Sequence, residues 1–296
     1  MYKISIAIPA YNEEKNIKDL LESILKQSLN SVQLVQILVI DDGSTDDTVS
    51  LAKQLNSSII KVMESKENLG KSERLNQIFK EVETDILVLL DADISINDNS
   101  MIENLILSMQ EHRATLASGN PRSISDLGVV NGALLVSSSI QEYVKSEYNK
   151  GDNVYACHGR VLALKKCLYK RIVVPSNSVG NDAYIYFYNR AIGGSFTLAK
   201  NAIVHYKMPK SAADYAKQRK RFEMSQQMNR SFFSESTSLD VEKEYKIPKT
   251  ILMKAILMSL QVRPFASVYY FFLIVISKFH KFKHTGKGWA VSESTK

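Results

Sequence analysis

At 296 residues, 45% of them hydrophobic, the chain can bury a sizeable core, which excludes a disordered polymer and fits one large α/β domain with an appendage. The net charge of +7 comes from Lys and Arg dispersed until the C-terminal third, where they lie beside apolar and aromatic residues; an anionic substrate or membrane surface is the expected partner, and nucleic acid is not. Cys157 and Cys167 have no second pair for a zinc site or a disulfide framework and read as reduced, structural thiols.

Met1, Tyr2 and Lys3 lead straight into a strand with no room for a secretory signal, so the body of the chain is expected in the cytoplasm. Ile4, Ile6 and Ile8 begin an apolar run that ends at Pro9, and Ile17, Leu20, Leu21, Ile24 and Leu25 then recur at helical spacing. A strand from Leu34 to Ile40, a helix from about Thr45 to Leu55, a strand near Ile59 to Met63, a helix near Ser72 to Val82 and a strand from Ile86 to Leu90 follow. Apolar runs buried on both faces predict a mostly parallel sheet flanked by helices, with the loops after Ile8, Ile40 and Leu90 lining one crevice at the carboxyl ends of the strands.

From about Thr115 the pattern is less regular, with apolar segments near Val129 to Val136, Val154 to Leu164 and Ile172 to Val174. A helix from roughly Asp182 to Ala191, closed by Gly193 and Gly194, precedes two short strands and a long basic helix from Ala212 to about Phe233. The domain plan is therefore 1–235, with a nucleotide-binding half (1–114) and an acceptor half (115–235), then a linker (236–248) and a hydrophobic, basic C-terminal segment (249–296). In that segment Ile251 to Leu260 and Phe265 to Ile276 both fall short of the ~20 residues of a spanning helix. Lys278, His280, Lys281, Lys283 and His284 flank the second run, so interfacial or re-entrant helices on an anionic leaflet are expected. A hydrophobic hairpin packed on the main domain or on a second subunit is the alternative.

The acidic strand ends carry the chemistry. In the loop Pro9, Ala10, Tyr11, Asn12, Glu13, Glu14, an aromatic and a carboxylate suit a base and a ribose, although Asn12 also reads as an N-cap and the two Glu as first-turn acids. Asp41 and Asp42 are candidates to accept hydrogen bonds from a nucleobase edge or ribose; Ser44 with Asp47 reads as a capping box, and Asp46 and Asp47 as structural. Asp91 and Asp93, at i and i+2 of a strand end, share one side of the sheet. Such hard oxygen donors suit Mg²⁺ or Mn²⁺ bridging a diphosphate, whose departure develops charge that a metal stabilises.

These segments, with Asn68, Leu69, Gly70, Lys71 and Asn76, resemble in order and spacing the large family of inverting GT-A-fold glycosyltransferases, of the family 2 type, over roughly residues 2 to 235. The resemblance implies that Pro9, Ala10, Tyr11, Glu13, Asp42 and Lys71 cradle the nucleotide, that Asp93 binds the metal, and that Asp91 binds the ribose or the metal. Asp182 is the candidate base that takes the acceptor's hydroxyl proton, in a position where the family has Glu-Asp and this chain has Asn181 before Asp182. Gln218, Arg221 and Phe222 resemble the family's Q-x-x-R-W motif near the acceptor and the donor diphosphate; Phe222 keeps a stacking face but lacks the indole donor, which argues against processive elongation. His205 is either a third metal ligand or structural. Gly159 and Arg160 fall in an acceptor-side segment, where Arg160 suits a phosphate.

The expected activity is metal-dependent, inverting transfer of a hexosyl or N-acetylhexosaminyl group from a nucleotide sugar, UDP-sugar favoured, to a saccharide or lipid-linked acceptor. It is placed at the cytoplasmic face of the cell membrane, in cell-surface polysaccharide or glycolipid synthesis, and an oligomer is compatible with it. A non-catalytic nucleotide-sugar-binding scaffold is the rival, and a nucleotidyltransferase would need a Gly-rich basic phosphate loop near the N-terminus that the chain lacks.

Overall fold

The computed structural model describes residues 1–124, 129–208, 212–233, 237 and 239–277. Its elements in chain order are β1 (Tyr2–Ala10), α1 (Ile17–Leu25), β2 (Val32–Asp41), α2 (Thr48–Gln54), β3 (Ile60–Met63), α3 (Lys71–Glu81), β4 (Ile86–Leu90), β5 (Ile94–Ser95), α4 (Met101–Glu111) and β6 (Leu116–Ile124). The second half holds α5 (Val129–Glu147), β7 (Val161–Lys165), α6 (Lys166–Tyr169), α7 (Asn181–Ala191), β8 (Phe196–Lys207), α8 (Ala212–Phe233), α9 (Val241–Tyr245), α10 (Lys249–Val262) and α11 (Pro264–Ser277).

The strands form one eight-stranded sheet in the order β3-β2-β1-β4-β7-β6-β8-β5. Its first half is the expected parallel unit, with β2 and β4 on either side of β1. Their carboxyl ends therefore lie side by side, and the loops after them share one edge. β1 runs through Pro9 to Ala10, because its pairing with β4 has already ended at Ala7 and Leu89, so no ladder bond on that side needs the missing proline N–H. The second half corrects the expectation of a mostly parallel sheet: β7 is antiparallel to both β4 and β6, β8 is parallel to β6, and β5 is antiparallel to β8. The sheet is mixed, with helices on both faces.

The two faces bury separate cores. Ile4, Ile6, Ile8, Val39, Val88 and Leu90 meet α1 and α4 on one side, and Ala7, Leu38, Leu87 and Leu89 meet α3, α7 and Phe233 of α8 on the other. This is the alternation of side chains along a strand, with both faces covered. The two short strands expected after Gly194 are a single twelve-residue β8, and α2 begins at Thr48 rather than Thr45. Within 236–248, expected as a linker, α9 buries Val241 and Tyr245 in the second core, and Tyr155 Oη donates to the Tyr245 carbonyl at 2.6 Å.

Helices α10 and α11 form a hairpin on α5, sharing a third core of Ala133, Leu134, Val136, Ile140, Ala255, Tyr270 and Leu273. Among the described residues no helix is long and apolar enough to cross a membrane. The cations expected after the second apolar run, Lys278, His280, Lys281, Lys283 and His284, lie outside the described residues.

Candidate active site

The loops after β1 and β2 are laced together before any ligand is considered. Asn12 adopts a left-handed conformation with φ of 54°, which turns its N–H toward Ser44 Oγ at 2.9 Å while its Oδ1 accepts from Thr45 N at 2.8 Å. Glu13 N donates to Thr48 Oγ1 at 2.7 Å, Glu14 N to Asp46 Oδ2 at 3.1 Å, and Asp47 N returns to Glu14 Oε2 at 3.3 Å. Ser44 thus serves the neighbouring loop rather than a capping box with Asp47, while Asp46 is structural as expected. Glu13 is buried and accepts from Asn16 Nδ2 at 2.8 Å; it lies before the N-cap Asn16 of α1, so it is not the first-turn acid that the sequence suggested. Ala10 is buried at the end of β1 beside Pro9, with Tyr11 half-buried after it.

Asp41 accepts from Gly43 N at 3.0 Å and Ser44 N at 3.1 Å, closing the turn after β2. Gly43 has φ of +77° and an added Cβ would lie 2.9 Å from the Glu67 carbonyl carbon, so two backbones meet there and only glycine fits. Asp42 is fully buried and accepts from Arg74 Nε at 2.7 Å, Leu69 N at 2.9 Å and Gly70 N at 3.0 Å. Arg74 continues to Ser65 Oγ and the Glu67 carbonyl, both at 2.7 Å. The structure therefore places Asp42, expected against a nucleotide, where it fastens residues 65–70 and the start of α3. That fixes Lys71 at the first position of α3.

At the end of β4, Lys71 Nζ donates to Asp91 Oδ1 in a half-buried ion pair. Asp91 N donates to the Arg160 carbonyl at 3.1 Å, tying the strand end to the residue before β7. Burial holds the Asp93 carboxyl above the usual carboxylate range, and the charge of Asp91 adds to this, while Arg160 and Lys71 oppose it. Burial pushes Arg221 down, against the attraction of Asp182 and Asp91 and with repulsion from Arg160. Three carboxylates, Asp91, Asp93 and Asp182, thus share one field with three cations, Lys71, Arg160 and Arg221.

Asp182 stands at the start of α7. Its Oδ2 accepts from Gly159 N at 3.1 Å and its Oδ1 from Ala183 N at 2.9 Å, so Gly159 faces the candidate base. Cys157 Sγ lies 3.5 Å from the Asp182 carbonyl, and burial, then the Asp182 charge, push its thiol well up. Asn181, standing where the related pattern has an acid, accepts from Ser72 Oγ at 3.1 Å and ties α7 to α3. Gly180 admits α8: a Cβ there would lie 2.0 Å from Ser225 Oγ. This close approach seats α8 so that Arg221 reaches the carboxylates. On the same helix Gln218 is exposed, and Phe222, 46% exposed, lies 6.0 Å from the ring of Tyr155 and edge-on to Tyr245 at 6.4 Å.

His205 departs from the third-ligand reading. On β8 it pairs with Ser95, and its Nδ1 lies 3.5 Å from Asn97 Nδ2. Among the described residues no group of three or more His, Cys, Asp or Glu gathers as a metal cage. The donor set that remains, Asp91 with Asp93, has the hard oxygen chemistry that would hold a divalent ion such as Mg²⁺ or Mn²⁺. Two residues that sequence reasoning missed complete the site's support. Arg74 was legible as an arginine on the buried face of α3 beside Leu75 and Ile78, whereas His158, beside Arg160, carried no local signal.

A parallel half with laced nucleotide-side loops, an acidic end on β4 and an antiparallel β7 bringing Arg160 across to it define a GT-A-type glycosyltransferase. A family model described as "Glycosyl transferase family 2" matches residues 5–173, more than half of the chain, and the chain belongs to that family. The 4,4'-diaponeurosporenoate glycosyltransferase of Staphylococcus haemolyticus (strain JCSC1435) is 32% identical over 119 residues, 38% of this chain and 31% of that protein. Its namesake in Staphylococcus aureus (strain USA300) is 33% identical over 109 residues, 36% and 28% respectively. The match thus covers less than a third of the length of these relatives.

Among solved structures, the mannosyltransferase PcManGT from Pyrobaculum calidifontis, in complex with GDP-Man and Mn²⁺, aligns with a TM-score of 0.60 and 17% identity over 95% of this chain and 76% of that one. S. aureus TarS 1-349 in complex with UDP aligns with a TM-score of 0.56 and 19% identity over 88% and 72%. At such identities the likeness establishes the fold.

Proposed function

We propose that the protein is a metal-dependent, inverting glycosyltransferase that moves a sugar from a nucleotide diphosphate donor, UDP-sugar favoured, to a saccharide or lipid-linked acceptor. The convergence of Asp91, Asp93 and Asp182 with Lys71 and Arg221 at the end of β4 carries this reading. Lys71 and Arg221 are placed to offset charge on a departing diphosphate. A divalent ion held by Asp91 and Asp93 would supply Lewis-acid stabilisation of the same charge. Asp182, oriented by Gly159 N and Ala183 N, accepts the proton of the acceptor hydroxyl as that oxygen attacks the anomeric carbon from the side opposite the leaving group. PcManGT in complex with GDP-Man and Mn²⁺ and TarS in complex with UDP are consistent with such a donor and ion.

The cytoplasmic face of the cell membrane is the proposed location, with cell-surface polysaccharide or glycolipid synthesis as the process. What supports it is the hairpin's outer face, where Met253, Leu257, Val262, Phe265, Val268 and Phe272 are exposed, Phe265 to 89% and Val262 to 74%. Exposed Lys254 and Arg263 sit among them. An apolar face rimmed by cations suits the boundary of an anionic leaflet.

The test is transfer or hydrolysis by the purified full chain, given UDP-, GDP-, dTDP- and CDP-sugars with Mn²⁺ or Mg²⁺ and then with chelator. Turnover of one donor class, abolished by chelator, is expected; no turnover of any donor would refute the reading.

A further inference from the structure

Arg160 is held by two aromatic side chains as well as by its place beside the acidic end of β4. Its guanidinium carbon lies 3.7 Å from the centroid of the Tyr206 ring, and Nη1 lies 3.3 and 3.4 Å from the two ring nitrogens of His158. The His158 and Tyr206 rings are themselves 6.4 Å apart and inclined by 38°, so the guanidinium is pressed between two aromatic faces. Stacking of this kind fixes the plane of the fork and leaves its edge as the reactive rim. Arg160 forms no ion pair with a carboxylate among the described residues, and its Nε is buried there with no hydrogen-bond partner. A buried donor without an acceptor is costly.

Its place in the sheet says which side of the crevice it serves. The laced loops belong to β1 and β2, on one side of β4; Arg160 precedes β7, whose Val161 pairs with Leu90 on the other side of β4, and Tyr206 lies on β8, beyond β6. Gly159, next to Arg160 in the chain, donates to Asp182. The clamp is therefore adjacent to the candidate base and across β4 from the nucleotide side. More positive charge stands behind it: Lys71 and Lys145 join Arg160 in the field at His158, which burial, first, keeps well below its ordinary range. Lys145 pairs with Glu142 at 2.6 Å, and Glu142 also meets Arg122 at 3.0 Å, so one acid answers two cations.

We propose that the acceptor is anionic, and that Arg160, clamped between His158 and Tyr206, binds a phosphate or carboxylate that the acceptor carries beside the hydroxyl being glycosylated. Arg160 then acts as a specificity residue that sets the acceptor's register over Asp182. This rests on the transferase reading above and narrows its acceptor to a charged one.

The experiment titrates the full chain, saturated with its nucleoside diphosphate and Mn²⁺, with three probes: a methyl hexoside, the same glycoside bearing a phosphate monoester, and the same glycoside bearing a carboxylate. A charge-assisted, bidentate contact predicts that a charged probe binds roughly 10- to 100-fold more tightly than the neutral one. The preferred charged probe distinguishes a phosphate from a carboxylate. Arg160→Gln should erase that preference and change the Kd for the nucleoside diphosphate by much less. Tyr206→Leu, which keeps the charge but removes one face of the clamp, should reduce the preference part of the way and serves if the first variant does not fold. Equal binding of neutral and charged probes, or no binding of either charged probe, overturns the proposal. So does an Arg160→Gln variant that weakens nucleoside diphosphate binding as much as probe binding, which would make Arg160 a donor ligand. Failure of the underlying reading is separate and visible earlier, as wild-type protein that binds no nucleotide.

Discussion

The crevice at the end of β4 and the outer face of the α10–α11 hairpin depart from ordinary burial in opposite directions. In the crevice, charge is drawn inward: Asp42 and Arg74 are buried together, and Asp93 and Arg221 are shifted by burial toward their neutral forms. On the hairpin, apolar surface is turned outward, with Phe265 and Val262 largely exposed. Buried charge persists only where partners hold it, and the crevice supplies such partners for Asp42 but leaves a surplus around Asp93 and Arg160. Exposed apolar surface of this kind is the feature on which the proposed membrane contact rests. The first region concentrates charge and the second concentrates apolar surface.

Charge should matter most for turnover. Asp182→Asn keeps the shape of the base but cannot take a proton, so kcat should fall by ~10²- to 10⁴-fold, with the nucleotide Kd unchanged, in transfer assays with saturating donor. A matching fall in nucleotide affinity would move Asp182 out of the base role. Next in size is the buried pair beneath Lys71: Asp42→Ala leaves Arg74 buried without its acceptor and should cost about 3–5 kcal/mol of unfolding free energy in urea. Retention of full stability would mean that the pair does not fasten residues 65–70.

On the hairpin the effect should appear in partitioning and not in folding. Phe265→Glu with Val268→Glu should weaken sedimentation with anionic vesicles by roughly tenfold or more, from the apolar area no longer buried, while leaving the melting temperature near wild type. A lowered melting temperature with unchanged partitioning would mean instead that the face packs within the protein. The smallest effect is at the opposite surface, where hydrogen bonds from Lys170 and then Lys166 hold the exposed Glu83 carboxyl down to about 2 from 4.5. A carboxyl with a depressed folded-state pKa adds stability above its unfolded value and loses it as pH falls, so any contribution should be complete above about pH 4.5 and fade toward pH 2. Glu83→Gln should therefore change thermal stability only slightly at neutral pH, because solvent screens such an exposed pair, and less still at pH 2.

The same contrast marks what the sequence let one read. Ile4, Ile6, Ile8 and the run to Leu90 alternate or crowd with the period of buried strands, and the acidic ends after them fall at one edge because β2, β1 and β4 are parallel neighbours. Local periodicity carries that information. Reversal of β7 is a matter of pairing between Leu90 and Val161, distant in the chain, and leaves no local trace. Asp182 and Lys71 were legible through the resemblance to the glycosyltransferase pattern; the Arg74 and Asp42 pair, the tie from Ser72 to Asn181, and the stacking of Arg160 on Tyr206 are contacts across the fold. From sequence, His205 is open between metal ligand and structural residue, because only the fold shows its register opposite Ser95 and its place beside Asn97.

The most direct measurement is isothermal titration of the full chain with UDP, GDP, dTDP and CDP, each with and without Mn²⁺, repeated on Asp93→Ala. Binding of one nucleotide class that requires Mn²⁺ and disappears in Asp93→Ala is the expected result. Binding that is indifferent to both the ion and Asp93 would contradict a metal-bridged diphosphate at the end of β4, and no binding at all would contradict the nucleotide-sugar site itself.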